Sequence, residues 1–179
     1  MPTAKSIVLL GSNYFPLSVN AYFRDGNGKL HLTGTLGQEI QIALLAAIGA
    51  INELDSYVEG FDPAIFAERN LHIKISVHGV GDLPVVGESY GLALSMSILA
   101  AAIQRPVPED IVFAGCIGPA GEVLPVEHIR DKRKAARELG FKRIMLPCSQ
   151  LDMMNNEITQ CPVKDVKEAF SVTFYNEPS

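Results

Sequence analysis

A lysine on the inward stripe of a predicted helix is the residue of this chain whose position most needs a chemical reason. The helix covers residues 127–139, and its apolar stripe is formed by Ile129, Ala136 and Leu139. Lys132 follows three positions after Ile129 and lies on that stripe. The other basic side chains fall on faces where solvated charges belong: Arg130, Arg133, Lys134 and Arg137. A buried ammonium loses hydration, which lowers its pKa toward the range in which a neutral amine accepts a proton. The alternative, favoured by periodicity alone, is that Lys132 lies at the stripe's edge and extends its stem to water.

Ser89 is the candidate partner of that lysine. A serine becomes a nucleophile at neutral pH when a base lies beside it, and a Ser-Lys pair is one recurring arrangement. Ser89 lies in Gly87-Glu88-Ser89-Tyr90-Gly91, at the start of a helix predicted over residues 90–103 that is apolar nearly all the way round. Free backbone N–H groups and the helix dipole favour developing negative charge at such a start. The alternative, which the pattern alone favours, is that Ser89 only caps the helix.

Other residues with reactive side chains have simpler explanations. Cys116 could act as a thiol nucleophile with His128 or His72 as its base, but it lies in an apolar predicted strand, 111–117, where a buried structural thiol is usual. His72 and His78 share the polar face of a strand predicted over residues 71–78. The chain has no His-Glu-x-x-His motif, so solvated strand histidines are a better explanation than a metal site. We therefore expect no metal.

Composition limits the size and the partners of the protein. The chain has 179 residues, 47% of them hydrophobic, which predicts one domain covering residues 1–179. Fifteen Lys and Arg against twenty Asp and Glu give a net charge of -5, so no overall field attracts nucleic acid. The stretch 130–143 carries seven basic residues and two acidic ones, and we interpret it as a solvated helix face.

Cysteine usage and short motifs limit the compartment and the cofactors. The three cysteines form no Cys-x-x-Cys pair and predict a reducing, cytoplasmic setting rather than a disulfide framework. The apolar run at residues 7–10 is shorter than a signal-peptide core, and no run reaches membrane-spanning length. Gly26-Asn27-Gly28-Lys29 is no phosphate loop, because Leu30 follows the lysine and Phe23 stands where the first glycine belongs. We expect no cofactor and no ATPase within this sequence.

Turn signals and periodicity predict the elements that position these residues. A β-hairpin is predicted from strands 19–23 and 29–33 around Asp25-Gly26-Asn27-Gly28, followed by a helix over 37–54. Strand 111–117 is expected to form a hairpin with 123–124, and strand 141–147 follows the lysine helix. A short helix over 163–170 and a last strand over 172–175 complete the chain. The sequence therefore predicts an α/β (α+β layered) fold with mixed sheets, an N-terminal β-hairpin and a buried central helix.

Three ordered segments resemble the proteolytic domain of Lon proteases. Residues 121–126, 129–132 and 135–141 resemble the surroundings of that family's catalytic lysine, with Lys132 in the lysine's place. Gly87-Glu88-Ser89-Tyr90-Gly91 is similar to the nucleophile motif, and its separation from Lys132 fits the family's pattern. Residues 28–37 are similar to the strand and turn that precede the first long helix. The ordered combination is specific, although each segment alone is weak.

The resemblance implies a serine-type endopeptidase of Lon-like fold with a Ser-Lys dyad, Ser89 and Lys132, acting on polypeptides. It also implies a hexameric ring and an ATPase module that lies outside this sequence or on another chain. Five positions depart from the family pattern: Val86, Glu88, Tyr90, Ala114 and Cys116. In the family a threonine at the place of Ala114 helps to orient the lysine. We therefore expect these departures to affect the rate of turnover more than the fold.

A second hypothesis of another class is a non-catalytic Lon-like scaffold, similar to the domain attached to the repair protein RadA. Such a scaffold would serve ring assembly or DNA handling, with the basic stretch 130–143 binding phosphates. It would not require Ser89 together with Lys132, so their joint presence favours the peptidase.

Overall fold

The strands of the described residues form three separate sheets. The computed structural model describes residues 2–34, 39–79 and 89–175. The largest sheet has the order β1-β2-β4-β3, with strands Thr3–Leu10, Asn13–Asp25, Arg69–Val77 and Leu30–Thr33 respectively. A parallel sheet has the order β5-β8-β9, formed by Ile111–Phe113, Arg143–Pro147 and Thr159–Val163, and a two-stranded sheet pairs β6, Cys116–Ile117, with β7, Val123–Leu124. Five α-helices in the described part of the chain lie alongside these sheets, which confirms the predicted mixed α/β layering.

The N-terminal hairpin exists, but its strands are not those predicted. β1 and β2 pair antiparallel around Gly11 and Ser12. The hairpin predicted from strands 19–23 and 29–33 is wrong, because β4 lies between β2 and β3, antiparallel to the first and parallel to the second. The turn after β2 closes onto β4 instead. The side-chain oxygen of Asn70 accepts hydrogen bonds from the backbone N–H groups of Asn27 and Lys29 at 3.0 and 2.9 Å.

The main core lies between the four-stranded sheet and two helices, α1 (Glu39–Asn52) and α3 (Gly91–Ile103). Alternation in β2 and β4 points one face of each strand into this core, as the sequence predicts for β4. The inward residues are Leu17, Val19, Ala21, Leu71, Ile73 and Ile75. The first ten residues of α3 are all buried, which confirms the predicted central helix. The short helix α2, Ile65–Glu68, leads into β4.

A second, smaller core lies on the other side of the molecule, beneath α4 (Ile129–Glu138). It joins Ile7 of β1, Val112, Ala114, Ala136 and Ile144, which links the two larger sheets. Gly140 closes α4 in a left-handed conformation with a φ of 90°, as predicted for a helix end. The predicted strand 111–117 is interrupted at Ala114 and Gly115, where the chain leaves the parallel sheet and enters the two-stranded one.

The C-terminal segment is helical where a strand was predicted. The helix α5 covers Val166–Phe174, so the strand expected over residues 172–175 is wrong, and β9 was not predicted. Asp165 caps the helix by accepting a hydrogen bond from the N–H of Glu168 at 2.8 Å. Phe170 and Phe174 are one turn apart and both buried, so packing against the core outweighs the strand preference of the β-branched residues here. None of the helices in the described residues is long and apolar enough to cross a membrane.

Candidate active site

Lys132 lies inside the protein, as its place on the helix stripe predicts. Its relative exposure is 5%, so the alternative in which the stem extends into water is wrong. Ala136, one turn further along α4, is fully buried. The stripe does not continue to Leu139, which is 44% exposed because the helix ends before it. The amine of Lys132 forms no hydrogen bond or ion pair with any residue in the described ranges.

Burial lowers the pKa of Lys132 from its ordinary value of 10.5. The cause is the loss of hydration of the ammonium, which favours the neutral amine. Electrostatic interactions with Cys116 and Glu127 act in the opposite direction and partly offset this lowering of the pKa. A lysine in this position can exchange a proton closer to neutral pH than a solvated one.

Ser89 is held by its backbone against the connection between β5 and β6. The carbonyl of Ser89 accepts a hydrogen bond from the N–H of Gly115 at 3.1 Å, and the N–H of Leu92 donates to the carbonyl of Gly115 at 3.0 Å. Only glycine fits at 115, since a Cβ there would lie 2.7 Å from Cγ1 of Val123. The two hydrogen bonds fix the position of the serine relative to the start of α3.

The alternative in which Ser89 merely caps α3 is not supported. The N-cap position is occupied by Tyr90, and the Leu92 N–H that a capping side chain would bind is taken by the Gly115 carbonyl. Ser89 is half-buried, and its hydroxyl forms no hydrogen bond with a described residue. Its side chain is therefore not needed to satisfy the backbone of the helix.

Ser89 and Lys132 both lie next to the short segment 114–116. Gly115 contacts Ser89 directly, and the next residue, Cys116, lies close enough to Lys132 to influence its pKa. Ala114, the third residue of this segment, is buried in the smaller core with Ala136 of the lysine helix. Gly115 was not among the residues singled out from the sequence. A lone glycine inside an apolar predicted strand was the one available signal.

Arg133 is buried, which corrects the prediction that it faces solvent. Its relative exposure is 4%, and its guanidinium donates to the carbonyl of Gln150 at 3.2 Å and lies 3.5 Å from the carboxylate of Asp152. Gln160 also holds this loop by accepting from the Asp152 N–H and donating to the Asp152 carbonyl. The segment after β8 therefore folds over α4, and Arg133 anchors it beside Lys132.

His72 and His78 contact different residues. His72 is stacked between the rings of Tyr22 and His31, with centroid distances of 4.9 and 4.4 Å. His78 instead contacts the Ser18 hydroxyl at 2.7 Å. No group of three or more potential metal ligands occurs in the ranges described. Of the positions that depart from the family pattern, Val86 and Glu88 lie outside the described residues, as does Gly87 of the serine motif.

Comparisons with known proteins agree with the resemblance seen in the sequence. Residues 10–177 match the family model of the Lon protease C-terminal proteolytic domain. Lon protease of Escherichia coli K12 is 29% identical over 161 residues, which cover 86% of this chain and 20% of the relative. Lon protease 2 of Herpetosiphon aurantiacus is 31% identical over 86% of this chain and 19% of the relative. The mitochondrial Lon protease homolog of Caenorhabditis elegans is 36% identical over 127 residues, 69% of this chain and 12% of the relative. This chain thus spans about a fifth or less of the length of these relatives.

Proposed function

Because this chain belongs to the family of Lon protease C-terminal proteolytic domains, we propose that it is a serine-type endopeptidase with Ser89 as nucleophile and Lys132 as base. The observation that carries the proposal is the buried Lys132 with a lowered pKa, next to the segment that holds Ser89. An isolated buried ammonium is costly, and a role as a proton acceptor gives a reason for it.

The neutral amine of Lys132 takes the proton from Ser89 Oγ as this oxygen attacks the carbonyl carbon of a peptide bond. The lysine then returns the proton to the departing amine nitrogen, which leaves an acyl-enzyme ester on Ser89. A water molecule, deprotonated by the same amine, hydrolyses the ester and restores the serine. The Leu92 N–H is already bound to Gly115, so donors to the oxyanion must be other groups near the start of α3.

The proposal extends to the assembly. The chain acts on polypeptides in the cytoplasm as part of a hexameric ring, and an ATPase module outside this sequence supplies the substrate. Family membership supports this part of the proposal. Light scattering that gives a strict monomer at high concentration would count against the ring.

The scaffold hypothesis finds less support in the contacts of the basic stretch 130–143. Lys132 and Arg133 are buried, and Arg143 donates to both carboxylate oxygens of Asp110 at 2.7 and 3.1 Å. Arg137 lies 3.2 Å from the Glu157 carboxylate. Four of the seven basic side chains are thus buried or paired within the protein, which weakens the case for a phosphate-binding surface.

Covalent labelling tests the proposal most directly. The protein is incubated with a fluorophosphonate probe, and the adduct is measured by intact mass and located by peptide mapping. We expect one adduct on Ser89, and none in Ser89→Ala. Lys132→Arg should slow labelling at pH 7.5 at least about 100-fold, because a guanidinium does not accept a proton in this range.

Lys134→Arg is the matched control, since Lys134 is exposed on the same helix. It should label at the wild-type rate. Labelling of Lys132→Arg at the rate of Lys134→Arg, with Ser89 still the site, would mean that the serine has another base. An adduct on a different residue would refute Ser89 as the nucleophile.

A further inference from the structure

A cavity of about 520 Å³ lies at the far end of α3 from Ser89. The helix has 13 residues, so the cavity is about 20 Å from the proposed active site. Its walls are formed by the ends of β2 and β4, the C-terminal end of α3 and the chain that follows. Polar and apolar groups line it together: Arg69, Gln104, Arg105, Glu109, Phe23 and Val107.

Arg69 lines this cavity with a guanidinium whose hydrogen-bonding capacity is incompletely used. Its Nη2 lies 3.5 Å from the carboxylate of Asp25, an exposed and long contact. Its Nε is shielded from solvent and forms no hydrogen bond in the described part of the chain. That inner N–H is out of a ligand's reach, but the Arg69 side chain is 39% exposed, so its terminal N–H groups are the donors it can offer to a ligand in the cavity.

Arg105 is a second, pre-positioned guanidinium at the same cavity. It lies 5.7 Å from the ring centres of both Phe174 and Tyr175, and its Nη2 donates to the Phe174 carbonyl at 3.0 Å. Arg105 has five side-chain N–H donors, and among the described residues they make this one hydrogen bond. The two rings and this hydrogen bond restrict the guanidinium, which lowers the entropy cost of binding an anion.

Gln104 ends α3 in a conformation that ordinarily takes glycine. Its φ is 56° and its ψ 47°, in the left-handed region, and its N–H donates to the Ala100 carbonyl. A side chain in this conformation costs free energy that glycine would avoid. Gln104 lines the cavity, so a contact between its side chain and a ligand would compensate for this cost.

Glu109 gives the cavity a single negative group. Within the described residues it forms no ion pair with Arg69 or Arg105. The two guanidinium groups and the carboxylate therefore remain available to different parts of a ligand. The apolar wall includes Phe23 and Val107. A doubly charged anion would be repelled by the carboxylate, whereas a monoanion that also carries an N–H donor would satisfy both signs of charge.

We propose that this cavity binds an α-carboxylate that carries an N–H group and an apolar side chain, as in a free apolar amino acid or the last residue of a peptide. The carboxylate lies on Arg69 and Arg105, with the Gln104 amide as a further donor, and the N–H faces Glu109. This site does not depend on the chemistry proposed for Ser89.

Titration monitored by amide NMR shifts tests the site with defined probes. N-acetyl-L-phenylalanine is compared with N-acetyl-L-phenylalaninamide, which has the same body without the carboxylate. We expect the acid to bind at least about tenfold more tightly than the amide, as loss of a charge-assisted contact predicts. L-phenylalanine, measured in parallel, distinguishes a free amino acid from a peptide terminus as the source.

Two variants at the cavity and one control variant separate binding from folding. Arg69→Met should weaken the acid about tenfold or more, whereas Arg130→Met, which changes an exposed arginine elsewhere, should leave its affinity unchanged. Gln104→Gly should weaken binding about threefold while its melting temperature stays the same or rises, because the left-handed strain is removed. A purely structural Gln104 would not show this combination.

Three results would overturn the proposal. One is equal affinity for the acid and the amide. Another is unchanged affinity of folded Arg69→Met for the acid. The last is no saturable shift with any of the three probes up to about 10 mM, a concentration that detects even weak binding.

Discussion

Replacing Lys132 with Met should make the protein more stable while it removes the proposed base. Lys132 is 5% exposed and its amine has no hydrogen bond or ion pair with a described residue, so the protonated folded state carries the desolvation cost of an ammonium. Met fills a similar volume without charge. From comparable replacements we expect a gain of about 1–3 kcal/mol in the free energy of unfolding, or about 2–12 °C in melting temperature.

The gain should depend on pH, and its sign follows from the lowered pKa. The folded state releases the Lys132 proton at a lower pH than the unfolded state, whose pKa is near 10.5. Below the folded pKa both states are protonated, and the full penalty is present in the wild type. As pH rises through the folded pKa toward 10.5, the wild type gains stability by up to about 1.4 kcal/mol per pH unit. The advantage of Lys132→Met should therefore shrink.

Urea unfolding of the wild type, Lys132→Met and Lys134→Met from pH 6 to 10 measures this difference. Lys134 is exposed on the same helix, so its replacement should change stability by less than about 0.5 kcal/mol at every pH. A Lys132→Met variant that is less stable than the wild type, with a difference that does not vary with pH, would refute the reasoning. It would show that the amine has a favourable partner in the folded protein.

Three further substitutions test the surroundings of the site. Ala114→Thr should raise peptidase kcat at a small cost in stability, because a hydroxyl beside the lysine helix could orient the amine of Lys132; an unchanged or lower rate contradicts this. Gly115→Ala should lower kcat/KM at least about tenfold, since its Cβ has no room and the clamp on the nucleophile must shift. Wild-type kinetics in a folded variant would disprove that role. Arg133→Met should lower the free energy of unfolding by about 2 kcal/mol, measured by thermal unfolding. Loss of the exposed ion pair of Arg137 should lower it by less than about 0.5 kcal/mol. Equal effects would mean that the Arg133 contacts contribute nothing.

The inward position of Lys132 could be predicted because an apolar stripe constrains a helix by its own periodicity. Arg133, one residue later, could not be predicted, since its burial depends on the loop at residues 148–160 that folds over α4. An apolar stripe indicates which face of a helix packs against a core. It does not indicate which of the other faces of that helix is covered by another segment of the chain.

Strand pairing was the least predictable part of the fold. The turn at Asp25-Gly26-Asn27-Gly28 carries a strong local hairpin signal, but the partner of β2 beyond that turn is β4, about fifty positions along the chain, as in the pair Tyr22 and His72. Local turn chemistry cannot encode a partner that far away. In the same way, Val172 and Thr173 favour a strand by propensity, and their helical state depends on packing of α5 against α3 and β9.

The insertion of β4 between β2 and β3 has a consequence for the order in which the chain assembles. The β1–β2 hairpin involves neighbouring residues and can form within microseconds. The other edge of β2 cannot pair with β4 until residues 69–77 have been synthesised. Until those residues leave the ribosome, the nearest strand able to pair with β2 is β3, through the same turn that misleads a local prediction. We therefore expect a transient β2–β3 hairpin during synthesis, which has to open before β4 can enter the sheet.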